Sequence, residues 1–413
     1  MESATQQGPA AATLGRTAGA GAALGLEPVA RRQRIVAVDV LRGFALIGVV
    51  VVNTQAFAGP PPPPTTADRV AAWIVAWLFT AKSYSLFSLL FGLGFAIQME
   101  RAEGRGQNFE AFFRRRCVVL FLFGVAHAVF LFEGDILTLY AILGIVLLNF
   151  RERSQATVLR WAIGLIAVAV VLSLIGAVAA LGSPAEPQGG GLMGPEIAAY
   201  RTPSYLDDIP ARVGPALSQA VGQLVLGFPN VFSMFLLGLY LGRRRAFADV
   251  EGHLPLFRSL RRWGLLLGLP LNAVSASLTI VAAGGSAAAL WLGEAVQAAG
   301  APILMLGYLG TIVLLLRRGG PVATALGRLA PVGQISLTCY LSSSLLLNLA
   351  YYGFGLALYG RTGAAQDVAV SAVVYALLLL GANLYDGRFR YGPAEWLWRS
   401  LSYGQRQPMR LAT

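Results

Sequence analysis

Long apolar segments separated by short polar ones run through the chain from residue 35 to residue 386. A helical membrane span needs roughly 20 mostly apolar residues. Ten segments meet that need: about 35–58, 83–99, 114–132, 135–150, 158–182, 219–242, 260–283, 291–316, 331–352 and 367–386. The pattern predicts an all-α fold, a polytopic transmembrane bundle of about ten spans with both termini cytoplasmic. Two segments are irregular. The stretch from Val70 to Met99 is broken at Lys82, which predicts a short interfacial helix carrying Trp73 and Trp77 and then a span. The segment from Asp135 to Phe150 is short and must stand nearly upright to cross.

The polar stretches divide the chain. Residues 1–33, rich in Ala and Gly, lack the charged start and apolar core of a signal peptide. They read as a disordered cytoplasmic tail. Residues 34–182 form an N-terminal membrane half. Residues 183–217 form a long extracytoplasmic loop with many prolines and the acids Glu186, Glu196, Asp207 and Asp208. A loop of that length is more often functional or disordered than passive. Residues 218–404 form a C-terminal membrane half, followed by a tail, 405–413. The run from Gly59 to Pro64, GPPPPP, is a stiff extended entry to the second span.

Composition sharpens the class. Of 413 residues 56% are hydrophobic and 13% charged, about half the usual charged share, and the mean hydropathy is +0.63. A water-soluble fold of this length cannot hide so much apolar surface. The net charge of +12 comes with no basic domain or motif, so nucleic acid is not an expected partner. Instead, 26 of the 32 basic residues fall in alternate inter-span segments if the N-terminus is inside. That is the positive-inside asymmetry of a multi-pass membrane protein, with the lipid bilayer as its partner. An odd number of spans would put a cluster on the wrong side. Cys117 and Cys339 lie in apolar segments, so neither a disulfide framework nor a thiolate metal site is expected.

Ionisable residues inside the apolar segments are candidates for chemistry, because each costs about 2.5–3.5 kcal/mol on insertion scales. Asp39 and Arg42 are helical neighbours in the first span, RIVAVDVLRGFALIGVVVVN. Asn53 lies eleven residues beyond Arg42, within about 20° of its azimuth after three turns, so the three share a face. Either the pair neutralises itself near the headgroups with Arg42 snorkelling, or the arginine faces a polar cavity with Asp39 orienting it. His127 is the histidine within a span; His253 lies in a charged segment. Its side chain suits proton transfer near neutral pH, and Glu133 and Asp135 follow at a tight turn. It could equally be a neutral histidine bonding a neighbouring helix. Arg116, eleven residues earlier, shares its face.

Three further features have plainer readings. Lys82 is expected to anchor at the interface, and Gly92 and Gly94, with Ser85 and Ser88, to permit close helix packing. Near the C-terminus, YDGRFRYGPAEWLWRSLSYG suits an amphipathic helix on the membrane surface, with Glu395 at its start and Trp396, Trp398 and Arg399 along it. No phosphate loop, nucleophile elbow or metal-spaced ligand set occurs, so no metal is expected.

Taken together, VDVLRGFALIGVVVVN, SLFSLLFGLGFAIQ, GVAHAVFLFEGDILTLYAILG, YYGFGLALYG and YGPAEWLWRSLSYG resemble the YeiB-like bacterial inner-membrane proteins. In these the C-terminal half is a domain of unknown function (DUF418). The similarity runs from about Arg34 to Gly404. It implies kinship with transmembrane acyltransferases, including the lysosomal enzyme that acetylates heparan glucosamine and bacterial sugar O-acyltransferases. It carries over to Asp39, Arg42, Gly43 and Asn53, then His127, Asp135 and Tyr140, then Gly392, Pro393, Glu395, Trp396 and Arg399. The sugar O-acyltransferases carry an arginine, ten residues and a histidine in the first helix. Here that second position is Asn53, which cannot act as a base, so His127 is the replacement. In PVGQISLTCYLSSS the family more often has arginine at Gln334, asparagine at Cys339 and glutamine at Ser343, so a familiar substrate is not implied.

The expected function is acyl transfer from acyl-CoA, as cosubstrate, to a hydroxyl or amine of a small-molecule, lipid or glycan acceptor. His127, Arg42, Asp39 and Asp135 would be catalytic. Asn53, Glu133, Tyr140, Gln334, Glu395 and Arg399 would bind substrate. A transporter or exporter using the same charges as a relay is the alternative. A non-catalytic sensor or scaffold is a third reading. Assembly as a homodimer is left open.

Overall fold

The computed structural model describes residues 35–104, 108–181 and 199–410. The expected tail over residues 1–33 lies outside them, as do residues 183–198 of the long loop and 411–413 of the C-terminal tail. The described chain is helical, with an isolated bridge between Phe389 and Arg410. Fifteen α-helices follow in order: α1 (Val36–Phe57), α2 (Thr66–Leu78), α3 (Lys82–Glu103), α4 (Phe109–Phe130), α5 (Leu137–Leu147), α6 (Gln155–Ala179), α7 (Tyr205–Gly222), α8 (Phe228–Arg243), α9 (Leu254–Ala283), α10 (Ala287–Arg318), α11 (Gly320–Gly327), α12 (Ala330–Gln334), α13 (Ser336–Tyr351), α14 (Ala364–Tyr385) and α15 (Pro393–Tyr403).

Among the described residues, seven helical stretches are long and apolar enough to cross a membrane: α1, Thr66–Glu103, α6, Arg212–Arg243, α9, α10 and α14. These cover seven of the ten expected spans. The other three are helical but differ for identifiable reasons. The 114–132 segment lies in α4, whose first turns carry Glu110 and three arginines. The 135–150 segment is a shorter apolar helix. The 331–352 segment is split at Ile335 (φ −115°, ψ 38°) into α12 and α13. The second half of the expected 183–217 loop is not a loop: α7 occupies it and continues through a π-helical turn, Gln223–Gly227, into α8.

The break before Lys82 is present, with Ala81 in the left-handed region (φ 68°). Thr65 and Asp68 form a capping box that starts α2. Lys82 itself is not an exposed anchor. It is 2% exposed, and its ammonium donates to Ala76 O at 2.8 Å. A cation there satisfies a carbonyl in the last turn of α2 and complements its dipole.

Close helix crossings hold α1 at the centre. A Cβ on Gly43 would lie 2.2 Å from Leu329 O, and one on Gly333 1.8 Å from Asp39 O, so α1 and α12 meet backbone to backbone. Gly92 and Gly238 do the same for α3 and α8, each meeting a carbonyl of the other helix at 1.9 Å. Around the periphery α6, α9 and α14 turn large apolar side chains outward, including Ile163, Ile175, Leu266, Val281, Val373 and Leu384. Each such side chain gains about 1.5–3 kcal/mol on leaving water, which suits these faces to lipid.

Arginines from distant segments collect at one end of the bundle. Arg243 donates to Phe150 O at 2.9 Å and Arg153 O at 2.6 Å. Arg151 pairs with Glu110, Arg245 with Glu100, and Arg317 with Glu251. The opposite end is built from the loops around Ala58, Asp68, Arg201 and Gly360–Ala365, where Gly360 N donates to Ala58 O at 2.7 Å and Ala365 N to Asp68 Oδ1 at 3.1 Å.

Candidate functional site

At the arginine-rich end the bundle encloses a cavity of about 290 Å³. Asp39 and Arg42 reach it from α1, Gln98 and Arg101 from α3, and Arg116 from α4. Gln334 comes from α12, Tyr340 from α13, and Glu395, Trp398 and Arg399 from α15. Four arginines thus meet two carboxylates. Arg42 Nη1 lies 3.4 Å from Asp39 Oδ1, with side-chain exposures of 32% and 8%. The pair is oriented but loose, and the guanidinium keeps open surface toward the cavity. Gly94 faces the same space: a Cβ there would be 3.7 Å from Arg42 Nη2. Of the two glycines expected to pack helices, only Gly92 does so; Gly94 makes room.

The break between α12 and α13 has a purpose in this site. It leaves the first N–H groups of α13 unpaired within the helix, and Glu395 takes them. Leu337 N and Thr338 N donate to Oε1 at 2.6 and 3.1 Å, and the Thr338 hydroxyl donates to Oε2 at 2.5 Å. Glu395 therefore caps α13, not only the start of its own helix. Burial pushes its carboxyl above the ordinary value, while these hydrogen bonds pull it back. On α15, Trp398 donates its indole N–H to Arg116 O at 3.1 Å, and the Arg116 guanidinium sits 3.7 Å above the indole ring. Deeper in, Tyr140 donates to Tyr84 O at 3.0 Å and shares a 2.7 Å hydrogen bond with Ser88.

His127 does not line this cavity. It is buried near the other end, at the last turn of α4. Its Nδ1 is 2.8 Å from Asp135 Oδ1 and its Nε2 is 2.9 Å from Ser344 Oγ. Asp135 Oδ2 accepts from Thr138 N at 2.8 Å and Thr138 Oγ1 at 2.7 Å. Tyr340 lines the cavity and also packs against the imidazole, ring centres 4.8 Å apart. A second, smaller cavity of about 140 Å³ opens between α4, α5 and α7, lined by Glu133, Asp135, Thr138 and Gln223 among others. Glu133 Oε2 is buried there with no hydrogen-bond partner among the described residues.

The structure thus brings Asp39, Arg42, Tyr140, Gln334, Glu395 and Arg399 to one cavity. It sets His127 and Asp135 apart in a buried chain, and Glu133 in the smaller pocket. Asn53 is half-buried and lines neither. Sequence reasoning missed Gln98, Arg101, Tyr340 and Ser344 as site residues, and above all Arg212. That arginine is 0% exposed and donates to Phe130 O at 2.9 Å and Asn348 Oδ1 at 2.7 Å. Its place just before an apolar segment was the available signal.

Apolar helices of membrane length around a polar interior define the class: an α-helical, multi-pass membrane protein. The family described as protein of unknown function (DUF418) matches residues 241–405. The chain is 32% identical over 407 residues to the uncharacterized protein YxaH of Bacillus subtilis strain 168, covering 93% of this chain and 98% of that one. It is 25% identical over 390 residues to the uncharacterized protein YeiB of Escherichia coli strain K12, covering 90% and 96%. The chain belongs to this YeiB-like, DUF418-containing family. The matched region supplies Gln334, Tyr340, Ser344, Glu395 and Arg399, while Asp39, Arg42, Arg116 and His127 precede it, so both polar sites straddle the two parts.

Proposed function

We propose that this protein is a membrane-embedded acyltransferase that moves an acyl group from acyl-CoA to a hydroxyl or amine of a glycan, lipid or small metabolite. The observation that supports it is the convergence of Arg42, Arg101, Arg116 and Arg399 in one cavity at the arginine-rich end. By the positive-inside rule that end is cytoplasmic, the side on which a CoA thioester is offered. Guanidinium groups bind phosphate and carbonyl oxygens in forked geometry. A volume of about 290 Å³ is near the lower limit for ligand pockets, roughly 300 Å³. It suits the pantetheine arm and thioester, with the nucleotide at the mouth beside Arg101 in the last turn of α3. Arg42, oriented by Asp39, then binds a donor oxygen.

A second reading has its own support. The opposite end is closed by the bonds among Arg212, Asn348, Ser344 and His127. A cavity open at one end and shut at the other is also one state of an alternating-access transporter. The two readings part on covalent product. Purified protein in proteoliposomes, given acyl-CoA labelled in the acyl group and an extract of envelope glycans and lipids, is expected to release free CoA and label an acceptor. Movement of a solute across the membrane with no change in its mass, and no CoA release, would overturn the acyltransferase reading.

A further inference from the structure

The buried chain around His127 has the geometry of a nucleophile, a base and an orienting acid. Asp135 Oδ1 takes the Nδ1 side of the ring at 2.8 Å, and Ser344 Oγ meets Nε2 at 2.9 Å. Both distances fall in the roughly 2.6–3.2 Å range of activated nucleophiles. Asp135 Oδ2 accepts from Thr138 N and Oγ1, which leaves Oδ1 to face His127 Nδ1; with Oδ1 as the acceptor, the matching arrangement is the Nδ1–H tautomer. That leaves Nε2 with a lone pair aimed at the serine hydroxyl, the order of roles in the Ser-His-Asp template. A histidine kept only for packing needs two partners of any kind; it does not need a carboxylate fixed by a third residue on one side and a hydroxyl on the other.

His127 and Ser344 are buried and line neither cavity, but each cavity reaches them through one neighbour. Tyr340, one turn before Ser344 on α13, lines the larger cavity and packs on the imidazole. Asp135 lines the smaller cavity, where Glu133 Oε2 is unpartnered among the described residues. Resting on the acyl-CoA reading, we infer that Ser344 is the nucleophile of a two-step transfer and carries the acyl group as an ester between donor and acceptor cavities.

In the first step Ser344 Oγ attacks the thioester carbonyl as Tyr340 swings aside. The C–O bond forms, the C–S bond breaks, and the hydroxyl proton passes to His127 Nε2 and then to the leaving thiolate. In the second step an acceptor hydroxyl or amine, bound beside Glu133, attacks the ester carbonyl: the acceptor C–O or C–N bond forms and the bond from the carbonyl carbon to Ser344 Oγ breaks. His127 takes its proton and returns it to Ser344 Oγ. Atoms and charges balance with acyl-CoA and acceptor alone. Arg42 keeps its place on the donor, while His127 acts on the Ser344 hydroxyl and then on the leaving thiolate.

Full-length protein in nanodiscs, incubated with acyl-CoA and no acceptor, is expected to release about one CoA thiol per chain in a burst and to gain one acyl mass on the peptide containing Ser344. A fluorophosphonate probe, which needs no donor, is expected to label the same serine, at least 100-fold more slowly in His127→Ala and faster in Tyr340→Ala. Ser344→Ala should lose adduct and burst. Ser344→Cys should keep an adduct, now cleaved by neutral hydroxylamine, which separates lost chemistry from lost folding. Steady turnover with no adduct in the wild type, or turnover preserved in Ser344→Ala, would overturn the serine and leave direct acyl transfer standing. Absence of fluorophosphonate labelling even in Tyr340→Ala would overturn it as well. Labelling of Ser344 without any acyl-CoA turnover would instead remove the acyl-CoA reading and keep the nucleophile.

Discussion

Two arginines held inside this bundle behave in opposite ways. Arg212, at the end away from the basic clusters, is 0% exposed and grips Phe130 O and Asn348 Oδ1. Its ring neighbours are Tyr352 and Tyr205, 4.9 and 5.6 Å from the guanidinium carbon. Arg42, toward the basic end, keeps 32% of its side chain exposed and has a 3.4 Å approach to Asp39. The same functional group is consumed as structure at one end and left available at the other. Protein acceptors hold both terminal nitrogens of Arg212, because a desolvated cation is costly without hydrogen bonds. A cavity lets Arg42 keep unused donors, and unused donors are what a ligand needs.

That contrast is best broken from the structural side. Arg212→Ala would strand Asn348 Oδ1 and Phe130 O in a buried setting. It is expected to lower stability by about 3–5 kcal/mol, as removal of one partner from a buried charged network does. Thermal unfolding in detergent, or the yield of monodisperse protein, reads the loss; an unchanged melting temperature would show that the network is ornamental.

The reverse holds for the cavity. Arg42→Ala and Arg116→Gln are expected to leave the melting temperature within a few degrees of wild type and to weaken acyl-CoA binding about 10- to 100-fold, from roughly 1.5–3 kcal/mol per charged hydrogen bond. Arg42→Lys should fail too if the guanidinium forks onto two oxygens. Calorimetric titration with a non-hydrolysable acyl-CoA analogue is the measurement, and equal loss of stability in these variants would erase the distinction between the two arginines.

Two glycines two residues apart sharpen the comparison on a smaller scale. A Cβ at Gly92 meets Phe235 O at 1.9 Å, whereas one at Gly94 has nothing nearer than 3.7 Å. Gly92→Ala should cost about 1–3 kcal/mol or more through overpacking. Gly94→Ala should gain about 0.5–1 kcal/mol of helix stability while shaving donor affinity. Opposite signs in two melting curves are the expected result. The smallest effect is expected at His253, whose Nδ1 lies 2.8 Å from Asp249 O in an exposed segment: His253→Ala should leave turnover within twofold of wild type, unlike His127→Ala, for which loss of a general base costs about 10²–10⁴-fold.

Much of this is legible in the sequence. The Asp39–Arg42 pair and the proximity of His127 to Asp135 are local, three and eight residues apart. Helical spacing and a tight turn suffice to bring them together. Asn53 shares the expected face of α1 yet lines neither cavity, because a shared azimuth does not say how far a cavity extends along the axis. The ten-span count is not confirmed: at 331–352 Gly333 packs against Asp39 O and the helix breaks at Ile335.

By itself the sequence determined where the apolar helices run and which ends are basic, though not α7 or the break at Ile335, since apolar runs and the cost of charge in lipid act residue by residue. Only the tertiary structure decided which side chains meet. Ser344 reaches His127 across 217 residues, Arg212 reaches Asn348 across 136, and Glu395 caps α13 across 58. Those meetings depend on how each helix is rotated and how closely it crosses its neighbours. Backbone contacts at Gly43, Gly92, Gly238 and Gly333 set those crossings. Periodicity along one helix carries no information about the rotation of another, and that rotation separates an open arginine from a finished one.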